Sequence, residues 1–288
     1  MIAGVTPRRS LGPFSVAPVG FGAMRLTGPN VFGPPKDRSE ATRVLRAAVA
    51  GGVNHIDTAQ FYGPDVVNEL IRDALHPYPA DLVIVSKVGA RRDQRGHVLA
   101  DDEPQQLRRA IEANLRTLAV DTLPVVNLRL MRDNAPDAFF DDQLAAMIAA
   151  RDDGLIRAVG LSNITVAHLL RALQTTEIAC VQNLFHLADR ASQPVVDECT
   201  KRGIAFVPFG SLGFGVSGPR SVVGRRVVVE EAARLRITPA QLALAWALAL
   251  APNVLVIPGV SSVDHLRENL KVSGVTVDDE AMRRLSTP

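Results

Sequence analysis

The chain has 288 residues, of which 47% are hydrophobic and 22% charged, with a formal net charge of +2. This composition excludes a disordered or fibrous protein. Without a Lys/Arg run of five or more it also argues against a nucleic-acid partner. The two cysteines, Cys180 and Cys199, cannot build a disulfide framework and read as small core residues. No apolar run approaches the roughly 18 residues a membrane helix needs; the longest, Leu242–Ala251, falls well short. The opening MIAGVTPRRSLGPF lacks the apolar core of a signal peptide. We therefore expect a cytoplasmic protein with no membrane partner, and the large excess of Arg over Lys suggests a bacterial source.

The elements alternate along the chain. Arg8–Ser15 predicts a short hairpin, and Ala17–Gly22 the first strand, followed by a Gly/Pro-rich loop at Gly28–Pro35. Helix Arg38–Ala50 starts near Ser39 and leads to strand Val53–Ile56. Helix Pro64–Leu75 carries proline in its first turn, where the missing N–H costs nothing. Strand Leu82–Ser86, a loop Arg91–Asp102 and helix Pro104–Leu118 come next. Strand Thr122–Leu128, helix Ala138–Arg151, strand Ala158–Leu161 and helix Val166–Leu173 continue the alternation. Strand Ala179–Gln182, helix Gln193–Arg202 and strand Ala205–Val207 follow. The series closes with helices Val222–Arg234 and Pro239–Leu250, strand Val254–Ile257 and helix Val263–Asn269. Strands this continuously apolar are buried on both faces, as in parallel sheets. Eight of them alternating with helices over about 240 residues predict a single-domain (β/α)8 TIM barrel spanning residues 1–288, in the α/β class.

In such a barrel, chemistry gathers at the C-terminal ends of the strands. From the second strand onward each apolar run hands over to a polar or aromatic residue: Asp57, Lys87, Arg129, Ser162 and Asn163, Gln182, Phe209 and Ser211, then Gly259 and Ser261. Lys87 is one of only four lysines and follows five residues of buried-strand character. A buried ammonium needs a partner, and Asp57 is the evident one. An ion pair alone would be a structural feature. Tyr62, in the next loop, turns it into a candidate relay: a phenol beside an ammonium is a stronger proton donor, suited to protonating a developing alkoxide. His55 is expected to be a packed, hydrogen-bonded core histidine; for His186, a place at the border of the substrate pocket is the secondary reading. The six histidines show no metal-ligand spacing and there is no nucleophile-elbow motif, so no metal is expected.

The run Gly52-Val53-Asn54-His55-Ile56-Asp57-Thr58-Ala59-Gln60-Phe61-Tyr62-Gly63 closely resembles the aldo-keto reductase signature. Ser86-Lys87, Gly160-Leu161-Ser162-Asn163, Val181-Gln182-Asn183 and Ile257-Pro258-Gly259-Val260-Ser261-Ser262 with Glu268-Asn269 resemble it too, in family order over nearly the whole chain. The resemblance implies a barrel that binds NADP(H) without a Rossmann domain. The clusters Gly20-Phe21-Gly22 and Gly210–Gly218 are accordingly poor dinucleotide fingerprints. It implies Tyr62 as general acid, Lys87 as the cation that strengthens it, and Asp57 as the residue orienting Lys87. Ser162, Asn163 and Gln182 would hold the nicotinamide carboxamide, with Phe209 stacked on the ring. Ser211, Gly259, Ser261, Ser262, His265, Glu268 and Asn269 belong to the expected cofactor set, the last two at the adenine edge.

One position departs from the pattern. Where the family usually has histidine after the fourth strand, this chain reads Val125-Val126-Asn127-Leu128-Arg129. A guanidinium there stays charged at working pH. It can stabilise charge on the substrate oxygen, act on Tyr62, bind an anionic substrate group, or simply pair with Asp57. Some bacterial members that act on pyridoxal carry a similar Asn-Leu-Arg segment, which makes pyridoxal a candidate substrate. The short tail after Asn269 predicts an open pocket and either a broad range of substrates or small polar ones. The reading is thus a carbonyl reductase, a monomer or weak homo-oligomer. The alternative is a non-catalytic NADP(H)-binding redox sensor or partner subunit, since fold does not dictate function.

Overall fold

The computed structural model describes residues 7–213 and 221–286; the far end of the Gly210–Gly218 cluster lies outside them. The chain opens with a hairpin of β1 (Arg9–Leu11) and β2 (Phe14–Val16), turning at Gly12 with a φ of +54°. Gly12 N donates to Ala179 O at 3.1 Å, so the turn seats against a barrel strand. Leu11 and Val16 enter one core cluster with Val83, Val85, Val125, Cys180, Ala205, Val207 and Leu255. The hairpin thereby closes the floor of the barrel.

The strands follow as β3 (Phe21–Gly22), β4 (His55–Asp57), β5 (Val83–Arg92) and β6 (Val98–Asp101). Then come β7 (Leu123–Arg129), β8 (Ile156–Ser162), β9 (Cys180–Gln182) and β10 (Ala205–Phe206). Those other than β6 lie parallel in the order β3-β4-β5-β7-β8-β9-β10. The expected strand Val254–Ile257 forms no ladder of its own. It joins the two ends of the sheet by single bridges, Phe206 to Val254 and Val19 to Val256. Leu255 N donates to Phe206 O at 2.9 Å and Gly20 N to Val256 O at 2.8 Å, which closes the barrel. The first strand is likewise shorter than Ala17–Gly22. Gly22 lies so close to Ile257 O that a Cβ would sit 2.5 Å from it. Backbones meeting at this seam leave little regular pairing.

Helices pack outside: α1 (Arg38–Ala50), α2 (Val66–Leu75), α3 (Pro104–Leu118), α4 (Ala138–Asp152) and α5 (Val166–Ala172). α6 (Gln193–Arg202), α7 (Arg226–Leu235), α8 (Pro239–Ala249), α9 (Val263–Leu270) and α10 (Asp279–Ser286) complete the set. α2 starts at Val66 rather than Pro64 because Asp65 takes a left-handed φ of 63°. α7 starts at Arg226 rather than Val222, after an extended Arg225.

Strand alternation sorts the side chains. Ile56, Ile84, Val126, Leu128, Val159, Leu161, Val181 and Phe206 face the helices in the main core. The intervening residues face the barrel axis. Parallel register then aligns Lys87 with Asn127 and Gly160, and Arg129 with Ser162 and Gln182. The loop expected at Arg91–Asp102 is largely a hairpin instead: β5 runs on past Lys87 and pairs antiparallel with β6, Gly89 opposite Asp101. Gly89 makes this exit possible. Its φ is +104°, and a Cβ there would stand 2.4 Å from Arg129 O.

Candidate active site

β4 and β5 carry Asp57 and Lys87 into the upper barrel, where each is almost fully buried. Lys87 Nζ donates to Asp57 Oδ1 at 2.5 Å and to Thr58 O at 3.0 Å. Burial works against the ammonium. Asp57 and then Tyr62 outweigh it and hold the Lys87 pKa above its ordinary value. Tyr62 is 8% exposed. Its ring meets Phe61 edge-on at 5.2 Å, and Lys87 Nζ lies 5.2 Å from its centroid. The three expected relay residues therefore meet.

A buried polar network not foreseen from sequence holds the relay from behind. Thr58, next to Asp57, donates to Asn68 Oδ1 at 2.9 Å, and Ser86, next to Lys87, donates to Asn114 Oδ1 at 2.6 Å. Asn68 Nδ2 joins the two by donating to Asn114 Oδ1 at 2.9 Å and to Thr117 Oγ1 at 3.0 Å. Helices α2 and α3 are thus tied to the strand positions adjoining the ion pair. The only hint in the sequence was polar residues on otherwise apolar helix faces.

Gln182 reaches across the barrel: its Nε2 donates to Asp57 Oδ2 at 2.6 Å, while its buried Oε1 has no protein partner. Ser162 is buried beside it, opposite Arg129 and Gln182 in register. Asn163 has a φ of 59°, donates its backbone N–H to Gln182 O at 3.0 Å, and is exposed at the rim. Asn127 accepts from the Cys180 thiol at 3.3 Å and lies over Gly160, where a Cβ would be 1.9 Å from its Oδ1. Phe209 N donates to Asn183 O at 3.1 Å, and the Ser211 hydroxyl donates to Pro208 O at 3.1 Å.

The expected nucleotide segment lies at the start of α9. Gly259 approaches Gly22 O so closely that a Cβ would be 2.6 Å from it. Ser262 caps α9, accepting from His265 N at 3.4 Å, and Ser261 and His265 are exposed beside it. Val263 N, the next donor, is already engaged by Glu40 Oε1 at 3.2 Å. Glu268 accepts from the Thr238 hydroxyl at 2.5 Å and lines a surface groove with Gln241, Arg236 and Arg267, while Asn269 is buried.

One expectation changes, the hydrogen bonding of His55, and one alternative for Arg129 falls away. Arg129 does not pair with Asp57, whose oxygens are taken by Lys87 and Gln182. His55 is fully buried but neither ring nitrogen has a protein partner. Desolvation pushes its pKa down to about 4, so it packs as a neutral ring. His186 is half-buried in a tight turn, accepting from Ala188 N at 3.1 Å. Arg129 itself has a buried Nε without a partner and lies 5.9 Å over the Phe61 ring. A second arginine missed in the sequence, Arg92, stands within electrostatic reach of both Tyr62 and Arg129.

Residues 18–287 match a family model described as the aldo/keto reductase family. The chain is 44% identical over 279 residues to pyridoxine 4-dehydrogenase of Escherichia coli (strain K12), covering 96% of each chain. It is 35% identical to an uncharacterized oxidoreductase of Schizosaccharomyces pombe, covering 96% of this chain and 87% of that one. A crystal structure of a thermostable aldo-keto reductase with the inhibitor epalrestat superposes with a TM-score of 0.82 at 28% identity, covering 97% of this chain and 98% of that one. An aldo/keto reductase from Klebsiella pneumoniae, crystallised with NADP and acetate, gives a TM-score of 0.76 at 25% identity, covering 96% and 94%.

Proposed function

The chain belongs to the aldo/keto reductase family, and from that premise we propose that it interconverts pyridoxal, or a closely similar aldehyde, and the corresponding alcohol with NADP(H). The observation that carries this is the buried Lys87, kept charged between Asp57 and the Tyr62 hydroxyl. A cation so placed favours the phenolate left when Tyr62 gives up its proton. Tyr62 is then the general acid in reduction and the general base in oxidation. The name of the Escherichia coli relative supports the substrate; dehydrogenation of an alcohol and reduction of its aldehyde are one reaction read in two directions.

The residues present suit a nicotinamide cofactor. The free Oε1 of Gln182 is a buried acceptor awaiting a donor such as a carboxamide NH2, with Ser162 and Asn163 beside it. Phe209 offers a ring face for stacking. Gly259, Ser261, Ser262 and His265 would receive the adenosine phosphate at the start of α9, and Glu268 and Asn269 the adenine. When bound, NADPH supplies the hydride. The protein's own work is to orient the carbonyl, exclude water and hold the Tyr62 proton in line with the carbonyl oxygen.

The test is a fluorescence titration of NADPH, then loss of reduced-nicotinamide absorbance with pyridoxal and a panel of other carbonyls. Tyr62→Phe is expected to bind NADPH like wild type and to lose about 10²–10⁴ in turnover. Tight binding without turnover of any carbonyl by the wild type would replace this reading with that of a redox sensor.

A further inference from the structure

Two arginines stand at the barrel rim beside the Phe61-Tyr62 pair, and among the described residues neither has a carboxylate partner. Arg129 ends β7; Arg92 ends β5, the strand paired with it. Each has a buried Nε without a hydrogen-bond partner. Arg92 spends one N–H group on Gly96 O at 2.5 Å, and Arg129 rests on the Phe61 ring. Among the described residues neither forms a salt bridge. Residues 1–6, 214–220 and 287–288 contain no Asp or Glu that could supply one. Burial lowers the pKa of both; Tyr62 opposes it in each case, and Arg129 adds to it for Arg92. Two half-buried like charges without a counter-ion are unfavourable. A fold that retains them beside a proton donor is arranged for an anion that arrives with the substrate.

We propose that Arg92 and Arg129 clamp an anionic oxygen next to the substrate carbonyl, so that the substrate class is aromatic aldehydes with an ionised hydroxyl on the adjacent ring carbon. This rests on the carbonyl-reductase reading and narrows it. Position selects the class. Arg129 lies over Phe61, the residue before Tyr62, and Arg92 ends the strand paired with β7, so an anion held by both lies beside the oxygen that Tyr62 protonates. A hydroxyl oxygen ortho to an aldehyde lies within hydrogen-bond reach of the carbonyl oxygen, and a planar guanidinium can face both. A carboxylate or phosphate several bonds away would draw the carbonyl off Tyr62. Pyridoxal has the required arrangement, its ring hydroxyl adjoining the aldehyde carbon. In the reduction, hydride adds to the carbonyl carbon and the carbonyl electron pair moves to oxygen, which takes the Tyr62 proton. The neighbouring oxygen stays anionic throughout, and Tyr62 is reprotonated from solvent.

The test compares 2-hydroxybenzaldehyde with 2-methoxybenzaldehyde at a pH where the first is ionised. The readout is the ratio of their kcat/KM values within each preparation, which cancels any loss of folded enzyme. Wild type should favour the hydroxyl compound, and Arg92→Met should reduce that ratio about ten-fold, equivalent to about 1.4 kcal/mol. 2-Hydroxybenzaldehyde, which cannot be reduced without a cofactor, is titrated calorimetrically onto both cofactor-free proteins at the same pH and should bind Arg92→Met about ten-fold more weakly. An unchanged ratio overturns the clamp even if pyridoxal is turned over well. Absence of turnover with every aldehyde, together with weakened 2-hydroxybenzaldehyde binding in Arg92→Met, would retain the clamp and reject the reductase reading.

Discussion

Gln182 and Asp57 face each other across the barrel, on β9 and β4, and share one hydrogen bond of 2.6 Å from Gln182 Nε2 to Asp57 Oδ2. The same amide presents its other atom, Oε1, without a protein partner. One side chain therefore links the proposed nicotinamide site to the carboxylate that holds Lys87. Loss of a cofactor contact at Gln182 should reach the proton relay as well.

Gln182→Met separates these roles from simple packing. It leaves Asp57 Oδ2 buried without a donor, at a cost of about 1–3 kcal/mol. We expect NADPH affinity and kcat to fall together, each by about ten-fold, and the alkaline limb of the kcat profile to shift. Weaker NADPH binding with an unchanged kcat profile would show that Asp57 does not depend on Gln182.

Gly89→Ala tests whether the hairpin exit positions Arg129. The residue has a φ of +104°, which strains any side chain, and the added Cβ would press on Arg129 O. We expect about 1–3 kcal/mol lower stability and a several-fold higher KM for the aldehyde, while NADPH binds as before. A loss of stability with KM unaltered would mean that the Arg129 backbone can yield without moving its guanidinium.

Glu40 holds the α9 donor Val263 N, beside the proposed phosphate site. Its carboxylate repels a 2′-phosphate and weakens the favourable field of the helix end. Glu40→Gln should therefore tighten NADPH relative to NADH by about two- to five-fold, equivalent to about 0.3–1 kcal/mol. The gain should shrink with added salt. Equal shifts for both cofactors would place the 2′-phosphate elsewhere.

His55 sets an acid limit. Its folded pKa is about 4, below the ordinary 6.5, because burial disfavours the imidazolium. A depressed histidine favours the fold while neutral, so its contribution is complete above the unfolded value and is lost as pH falls from about 6.5 toward 4. The loss amounts to up to about 3 kcal/mol at about 1.4 kcal/mol per pH unit. Urea unfolding of wild type and His55→Leu across that window should show a flatter pH dependence for the variant. Parallel curves would assign the acid lability to other groups.

Much of this site was legible in the chain itself. Strand periodicity and the barrel rule bring Asp57, Lys87, Ser162 and Gln182 to the axis, because a period of two leaves little choice once the outer face is apolar. The ends of the sheet were less legible. Val254–Ile257 is as apolar as its neighbours, yet forms only single bridges where two glycine-bearing backbones converge. The hairpin formed by β5 and β6 was hidden because exposed residues there carry no alternation.

The sequence by itself determined the alternating barrel and the set of strand-end residues, since both follow from local pattern and side-chain chemistry. Only the tertiary structure decided who meets whom. Asp57 takes Gln182, 125 residues away, and Arg129 has no ion pair among the described residues; Arg92 comes to the same rim because β5 continues past it. Such contacts depend on barrel closure and strand register, which set distances across the axis that no local stretch of chain encodes.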